Sequence, residues 1–327
     1  IPDRFEGKVL SRKDVLNQSL SFTANRDTFI MITPTPGVAY FVADVPVGTF
    51  PVAATTFTAV PYPGFSSLFG TTPQSRADQV SAFRYASLNV GLYPTSNMMQ
   101  FAGSVTVWKC PIKMSTVQYT SIAPLPVGIP LLGHNLVGLA GVQAVGQDNY
   151  SETFIKGCFS QSVCNEPDFD FTRILEGVQV LPPDAVPAGT SYGQEFILDA
   201  GAATTAAING WGNMDTIVIR VSSPTGAVNS AILKAWACIE YRPNPNALTY
   251  QFAHDSPPLD EVALAEYRTI ARSIPVAVPA AQNAGMWERV KSILKSSLSF
   301  ASMVPGPIGA AASGLSGLSQ LFSGLGM

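Results

Sequence analysis

The fold is decided by two neighbouring stretches, MDTIVIRVSSP at residues 214–224 and AILKAWACIEYRP at residues 231–243. Both are rich in β-branched and aromatic residues, and both alternate apolar with polar side chains over part of their length, as β-strands do. Similar runs precede them, bounded by Pro-Gly, Asn-Gly and Gly-Thr-Thr-Pro turn signals. The earlier runs lie at residues 27–34, 38–46, 80–94, 104–114 and 153–163. Many strands with long irregular connections predict an all-β antiparallel sandwich of the jelly-roll type with elaborated loops.

The composition predicts a protein that hides much of its surface. Charged residues make up 13% of the 327 residues, about half of the usual ~25%, and the mean hydropathy is +0.22. Such a chain either enters a membrane or buries apolar surface against other subunits. The most apolar segment, residues 122–142, is broken by Pro124, Pro126 and Pro130, so it does not predict a membrane-spanning helix. The charged opening IPDRFEGKVLSRK is unlike a secretory signal.

Charge, cysteines and motifs exclude several function classes. A net charge of −3 is not that of a general nucleic-acid-binding protein. Four cysteines without a Cys-x-x-Cys pair predict reduced thiols in an intracellular protein. A pepsin-like Asp-Thr-Gly, a Gly-x-Ser-x-Gly elbow and a phosphate-binding glycine loop are all missing, which disfavours a general protease. The adjacent residues His254, Asp255 and Ser256 cannot usually build a catalytic triad, and we interpret His254 as a loop histidine.

The pattern changes after residue 255. Ser256-Pro257-Pro258 predicts a helix start, and LDEVALAEYRTIARS predicts a helix over residues 259–273, because its acidic residues come early and its arginines late. Residues 274–282, IPVAVPAAQ, are expected to form an extended linker.

A second helix is predicted from Ala284 onward. Its apolar stripe, at spacings of three and four, is formed by Trp287, Val290, Leu294 and Leu298. Its basic residues are Arg289, Lys291 and Lys295. No charge follows Lys295, and a basic amphipathic helix with a chargeless tail is typical of segments that enter a bilayer interface. The pattern by itself favours the alternative, a helix that covers the sandwich.

The Asn283-Ala284 bond lies between the linker and this helix. A membrane-active helix must be hidden until it is needed, and cleavage of this bond would release it. An asparagine side-chain amide can attack its own backbone carbonyl and expel the amine of the next residue. The reaction needs a held geometry and a nearby carboxylate to move protons. The dipeptide is a weak signal, and its position between two distinct segments is what singles it out.

An acidic stretch, CNEPDFDF at residues 164–171, predicts a cation site or a solvated loop with equal weight. Glu166, Asp168 and Asp170 alternate with other residues, so on a strand they would share one face. Carboxylates that close repel each other unless water or a cation separates them, and ligands that are all oxygen suit calcium.

Seven blocks spread over the whole chain resemble the coat protein precursors of insect nodaviruses (alphanodaviruses). The blocks are IPDRFEGKV, AFRYASLNVGLYPTSN, CNEPDFDF, WGNMDTIVIRVS, CIEYRPNPNA, HDSPPLDEVALAEYR and NAGMWERVKSILKSSL. The resemblance implies an eight-stranded antiparallel jelly roll with an outward projection and C-terminal helices. It also implies a T=3 icosahedral shell of 180 copies around viral genomic RNA, found in the virion and, during assembly, in the host cytoplasm.

The resemblance further implies one self-cleavage after assembly, at Asn283-Ala284. The chain would then be a single-turnover autocatalytic endopeptidase of the aspartic type. It would release a peptide that disrupts the host endosomal membrane. We therefore expect a shell domain with projection loops at 1–254, a helix and linker on the inner side at 255–283, and the membrane-active peptide at 284–327.

The site residues implied by the resemblance are incomplete in this chain. The family's catalytic aspartate and its arginine-rich RNA-binding arm lie upstream of the segment matching IPDRFEGKV, so no residue here takes the aspartate's role. RNA would face Arg289, Lys291 and Lys295. Calcium between subunits would be held by Asp168, Asp170, Glu176 and the carbonyl of Gly193. A further family ligand, an aspartate, is replaced by Ala140, which cannot coordinate, so the calcium site is expected to be weakened, altered or absent.

One alternative from another class remains from the sequence. A β-sandwich binding module with a docked C-terminal helix would also explain the strands and the amphipathic pattern. It predicts a soluble monomer without self-cleavage.

Overall fold

The structure is a computed structural model that describes residues 1–51, 55–70, 75, 78–96, 101–110, 114–118, 130–134, 148–164, 169–173, 196–199, 212 and 214–280. The strands are β1 Lys8–Phe22, β2 Arg26–Ile32, β3 Val38–Pro46, β4 Thr55–Pro61, β5 Val80–Pro94, β6 Ser104–Cys110, β7 Met114–Gln118, β8 Pro130–His134, β9 Asn149–Thr153, β10 Cys158–Ser162, β11 Thr172–Arg173, β12 Phe196–Asp199, β13 Thr216–Ser223, β14 Asn229–Pro243 and β15 His254–Asp255. The α-helices are α1 Phe65–Phe69 and α2 Glu261–Ser273, and short 3-10 helices cover Phe154–Lys156 and Leu248–Phe252.

The strands form two large sheets with the interleaving of a jelly roll. The first sheet has the order β10-β5-β14-β1-β15, with β11 also paired to β5, and the second has the order β12-β4-β3-β2-β13-β6-β9. Four strands of each sheet, β1-β14-β5-β10 and β2-β13-β6-β9, make up the eight-stranded core of the sandwich. In chain order these are strands 1, 8, 3 and 6 in one sheet and 2, 7, 4 and 5 in the other, as two Greek keys require. The predicted eight-stranded jelly roll is confirmed.

The remaining strands elaborate this core. Strands β3, β4 and β12 extend one edge of the second sheet, and β15 extends the first. The β12–β4 pair is parallel, whereas the other described pairs are antiparallel. Strands β7 and β8 pair with each other between β6 and β9 in the chain.

The stretches 214–224 and 231–243 occupy the centres of the two sheets. Strand β13 lies between β2 and β6, and β14 lies between β1 and β5. The two strands are joined by a tight turn in which Ala227 N donates to the Pro224 carbonyl at 3.1 Å. Gly226 adopts φ +81° in that turn, a backbone conformation that favours glycine.

The main core lies between the sheets. Its fully buried members include Ile30, Ile32, Phe83, Leu92, Val105, Val107, Ile217, Ile219, Leu233 and Ile239. The opposite face of the second sheet is also buried, since Phe29, Met31 and Val218 are 0% exposed. Apolar side chains therefore occupy both faces of β2 and β13. A strand covered on both faces is a continuous apolar run, which is what β2 and β13 contain.

The C-terminal part of the described chain agrees with the sequence pattern in outline. Helix α2 begins after Asp260, whose side chain accepts the Ala263 N–H at 3.0 Å, and not at the predicted Ser256-Pro257-Pro258. The residues after α2 are irregular, with a bend at Val276, an isolated β-bridge at Val278 and a 3-10 conformation at Ala280, so the predicted extended linker is only partly extended. The four cysteines are free thiols, as predicted. Within the described residues, no helix is long and apolar enough to cross a membrane.

Candidate functional site

The linker after α2 is fastened along strand β10. Val278 and Phe159 exchange backbone hydrogen bonds, N to O, at 2.9 and 2.8 Å. The hydroxyl of Ser160, a residue that is 1% exposed, donates to the Val276 carbonyl at 2.6 Å. These bonds add the linker to the edge of the first sheet as a short extra strand, because β10 is otherwise an edge strand there.

A lysine from the second sheet makes a further contact with the linker. Lys109 on β6 donates from Nζ to the Pro275 carbonyl at 2.8 Å. Burial lowers the pKa of Lys109 to about 8, and the nearby Asp215 carboxylate opposes that shift. The linker is thus bonded to both sheets of the sandwich.

The end of the described linker passes close to Gly157. A Cβ on Gly157 would collide with the Leu92 carbonyl oxygen and would lie 3.3 Å from the Cβ of Ala280. Gly157 also has φ +56°, so both space and backbone conformation call for glycine there. Ala280 precedes Asn283 by three positions, so the predicted cleavage site follows a fixed point in the chain by three residues.

Helix α2 contacts the sandwich through side chains on one face. The Tyr267 hydroxyl accepts the Cys164 N–H at 2.9 Å, and its ring meets the Phe169 ring at 4.9 Å between centroids. Leu264 packs against the core, but no residue of α2 is fully buried. The helix therefore lies on the sandwich as an amphipathic cover.

A buried ion cluster lies under the first residues of the chain. Arg84, 2% exposed, forms ion pairs with Asp3 and with Glu240, at 2.7 Å to the latter, and donates to the Phe169 carbonyl at 3.2 Å. Asp3 is thus committed to Arg84, and its carboxylate stabilises the docking of the N-terminal segment. Removing one partner of such a buried pair is strongly destabilising.

The predicted calcium ligands are only partly visible. Asp170 is exposed and lines a cleft of about 830 Å³ that also has Asp3, Glu261 and Arg268 in its wall. Among the described residues, no three of His, Cys, Asp and Glu form a group that could hold a metal ion. Asp168, Glu176, Gly193 and Ala140 lie outside the described residues, and so the calcium prediction stays a prediction.

The predicted cleavage and membrane residues also lie outside the described residues. They are Asn283, Ala284, Trp287, Val290, Leu294 and Leu298, together with the basic residues Arg289, Lys291 and Lys295. The adjacent residues His254 and Asp255 form no triad, since the Asp255 carboxylate pairs with Lys8 at 2.9 Å.

Sequence reasoning missed the residues that fasten the linker. Lys109 stands out in SVTVWKC as a charge inside an apolar strand, and that was the available signal. Ser160 carries no such signal, because a serine in a strand is ordinary. The pairing of Arg84 with Glu240 was not predicted either, because the two residues become neighbours only through the register of β5 and β14.

A comparison with protein families decides the relationship. The model of the Peptidase A6 family matches residues 1–324. The chain belongs to the Peptidase A6 family.

Relatives of this Peptidase A6 chain support the same conclusion. Capsid protein alpha of Black beetle virus and that of Flock house virus are each 73% identical to it over 326 residues, covering 100% of this chain and 79% of those proteins. The resemblance to nodavirus coat proteins is confirmed, and the chain is a viral capsid protein. The Peptidase A6 family also implies self-cleaving peptidase activity in general.

Solved structures agree on the fold alone. A structure of infectious bursal disease virus, Gx strain, superposes with a TM-score of 0.53 at 10% identity and covers 88% of this Peptidase A6 chain and 96% of that chain. The likeness supports the capsid jelly roll found in the sheet order.

Proposed function

We propose that this coat protein assembles as 180 copies into a T=3 shell around viral RNA and then cuts itself once, at Asn283-Ala284. The released peptide 284–327 disrupts the endosomal membrane of the host. The protein thus resides in the virion, after assembly in the host cytoplasm. The observation that carries the proposal is the linker, which is bonded to both sheets just before Asn283.

The cleavage is a cyclisation followed by hydrolysis. The side-chain amide nitrogen of Asn283 attacks the Asn283 carbonyl carbon and closes a succinimide. The bond to the Ala284 nitrogen breaks, and that amine leaves with a proton. Water then opens the succinimide. A fixed linker favours this reaction because restricting the chain raises the fraction of time that the amide faces the carbonyl.

A carboxylate is needed to move the protons, and we assign that role to an aspartate upstream of Ile1. Asp3 is paired with Arg84 on β5, so the first residues of the chain meet the first sheet, the sheet to which the linker is added. Assembly completes the geometry in this proposal, which explains why cleavage would wait for the shell.

Exposed apolar side chains support the shell. On the 3-10 helix Leu248–Phe252, Leu248 is 78% exposed and Phe252 is 62% exposed, and Val228 is 60% exposed. Neighbouring subunits would cover such side chains. Burial of surface between subunits would also account for the low content of charged residues and the high mean hydropathy of the chain.

The released peptide would act through its two faces. Trp287, Val290, Leu294 and Leu298 would enter the bilayer interface. The opposite face, with Arg289, Lys291 and Lys295, would contact RNA inside the shell. Basic amphipathic helices bind anionic surfaces in this manner.

Calcium between subunits is part of the proposal. Asp170 is exposed at a cleft rim, where a ligand shared with a neighbouring copy would lie. Asp168, Glu176 and the Gly193 carbonyl would complete an oxygen-only set suited to calcium. Chelator should then lower the thermal stability of particles but leave that of unassembled subunits unchanged, and equal stability with and without chelator would remove calcium from the proposal.

The membrane step can be tested with synthetic peptide 284–327 and dye-loaded vesicles. We expect dye release, and we expect Trp287→Ser with Leu294→Ser to suppress it. Scrambling the peptide at constant composition is the matched control. No release from the native peptide, or equal release from the double variant, would contradict the lytic role.

A further inference from the structure

A cationic cleft lies on the face of the first sheet that is opposite the core. It is at the Ala82 end of β5, whereas the linker is bonded near the Gly91 end. Its volume is about 790 Å³, and its wall includes Lys8, Arg173 and Arg242 together with the rings of Phe5 and Tyr250. Among the described residues of this wall, one carboxylate is present, that of Glu6. Lys8 pairs with Asp255 at 2.9 Å, so the positive charge of the cleft comes mainly from the two arginines. This is a local exception in a chain whose net charge is −3.

Strand register places the two arginines on one face. Arg173 of β11 and Arg242 of β14 both pair with Ala82 of β5, from opposite sides. Residues paired in register project from the same face of a sheet, and two strand spacings separate these by about 10 Å. The two arginines thus lie on either side of Ala82, on the same face of the sheet.

The same strands show that these arginines differ from their neighbours. Two residues along, Arg84 and Glu240 are buried and paired with each other. Arg173 and Arg242 are exposed, and within the described part of the chain neither forms an ion pair with a carboxylate. Their charges are therefore available to a ligand.

The aromatic side chains give the cleft a second mode of contact. The Arg242 guanidinium lies 5.8 Å from the Phe5 ring centroid, and Tyr250 is 37% exposed. Proteins usually bind single-stranded nucleic acid through two kinds of contact. Arginines bond to the phosphates, and aromatic rings stack on the bases.

We infer that this cleft binds the phosphate backbone of single-stranded RNA. The inference rests on the proposed function, in which the shell encloses RNA, and it adds a site on the folded shell domain to the basic residues of 284–327. Arg173 and Arg242 each contact a phosphate, and Tyr250 stacks on a base.

The salt dependence of RNA binding tests this site. Fluorescence anisotropy with a labelled oligouridylate over a sodium chloride series gives the slope of log affinity against log salt. Each phosphate contact to a single strand contributes about 0.7 to that slope, so Arg173→Gln with Arg242→Gln should flatten it by about 1.4. The control is Arg26→Gln with Lys156→Gln, which removes the same charge from exposed residues at the other end of the sandwich.

The outcomes separate the cleft from the function on which it rests. A flatter slope in the cleft variant and an unchanged slope in the control support the site. Equal slopes in cleft variant and wild type overturn it, and the proposed RNA enclosure survives. If those slopes are equal but the variant fails to assemble in sedimentation, the cleft is a subunit contact. If the wild-type protein does not bind the oligonucleotide, both proposals fail.

Discussion

Two Asn-Ala bonds occur in this chain, and their surroundings differ. Asn246-Ala247 lies in an exposed surface turn, where Ala247 N donates to the Asn244 carbonyl at 3.0 Å. Asn283-Ala284 follows a linker that is bonded to β10 and to Lys109. The dipeptide is the same, so any difference in cleavage must come from how the chain around it is held.

The largest effect is expected from Asn283 itself. Asn283→Ala removes the attacking amide, and particles of this variant should keep the full-length chain indefinitely on denaturing gels. Asn246→Ala is the matched control, and it should be cleaved at the wild-type rate. The same fragment in the Asn283 variant, or loss of cleavage in the Asn246 variant, would reverse the assignment.

The next effect concerns the backbone pair between linker and sheet. Val278→Pro removes the N–H that bonds to the Phe159 carbonyl, and it should slow cleavage about tenfold if roughly 1.5 kcal/mol of positioning is lost. Val278→Ala keeps the N–H and should cleave nearly normally. Rates come from time courses on particles that sediment normally, and equal rates for the two variants would show that the pairing does not position the bond.

A smaller effect is expected at Lys109. Lys109→Met removes the bond to the Pro275 carbonyl and should slow cleavage a few-fold, whereas Lys156→Met, at an exposed lysine, should not. Lys109→Arg should restore part of the rate, since it keeps a donor.

The pKa of Lys109 gives a separate test by pH. Because its folded pKa is about 8 and its ordinary value is 10.5, the unfolded chain binds more protons between these limits. Lys109 therefore contributes stability that increases as pH rises from about 8 towards 10.5. The unfolding free energy of wild type relative to Lys109→Met, from urea titrations at both ends of this window, should increase with pH, and a constant difference would show that Lys109 is not desolvated.

The smallest effect on cleavage is expected in helix α2. Tyr267→Phe removes the hydroxyl that accepts the Cys164 N–H and should lower the unfolding free energy by about 1 kcal/mol. Cleavage should proceed at the wild-type rate, because the linker beyond α2 keeps its own bonds. Phe169→Leu, which changes the ring packed against Tyr267, is a control for packing. Slower cleavage in Tyr267→Phe would mean that α2 also positions the bond.

The core of the fold could be predicted from the sequence because its signals are local. Strand propensity and turn residues predict the positions of β13 and β14. The resemblance to nodavirus coat proteins predicts that the core has eight strands. The covering of both faces of the second sheet could not be predicted, because a run such as Phe29–Ile32 is equally typical of any buried strand.

The candidate site could be predicted only where the chemistry is local to the chain. Asn283 was singled out by its position between two segments, and its role stays a prediction. Lys109 and Ser160 were not, because their partners lie 166 and 116 residues away, and hydrogen bonds over such separations leave no pattern in one sequence. Arg173 and Arg242 likewise come together only through their register with Ala82.

Intact-mass spectrometry of the coat protein precursor, before and after particle assembly, tests the self-cleavage most directly. We expect one uncut mass before assembly and, afterwards, a fragment with the mass of residues 284–327. No fragment should begin at Ala247. A single uncut mass in both states would contradict self-cleavage, and a cut at Asn246-Ala247 would show that the held linker does not select the bond.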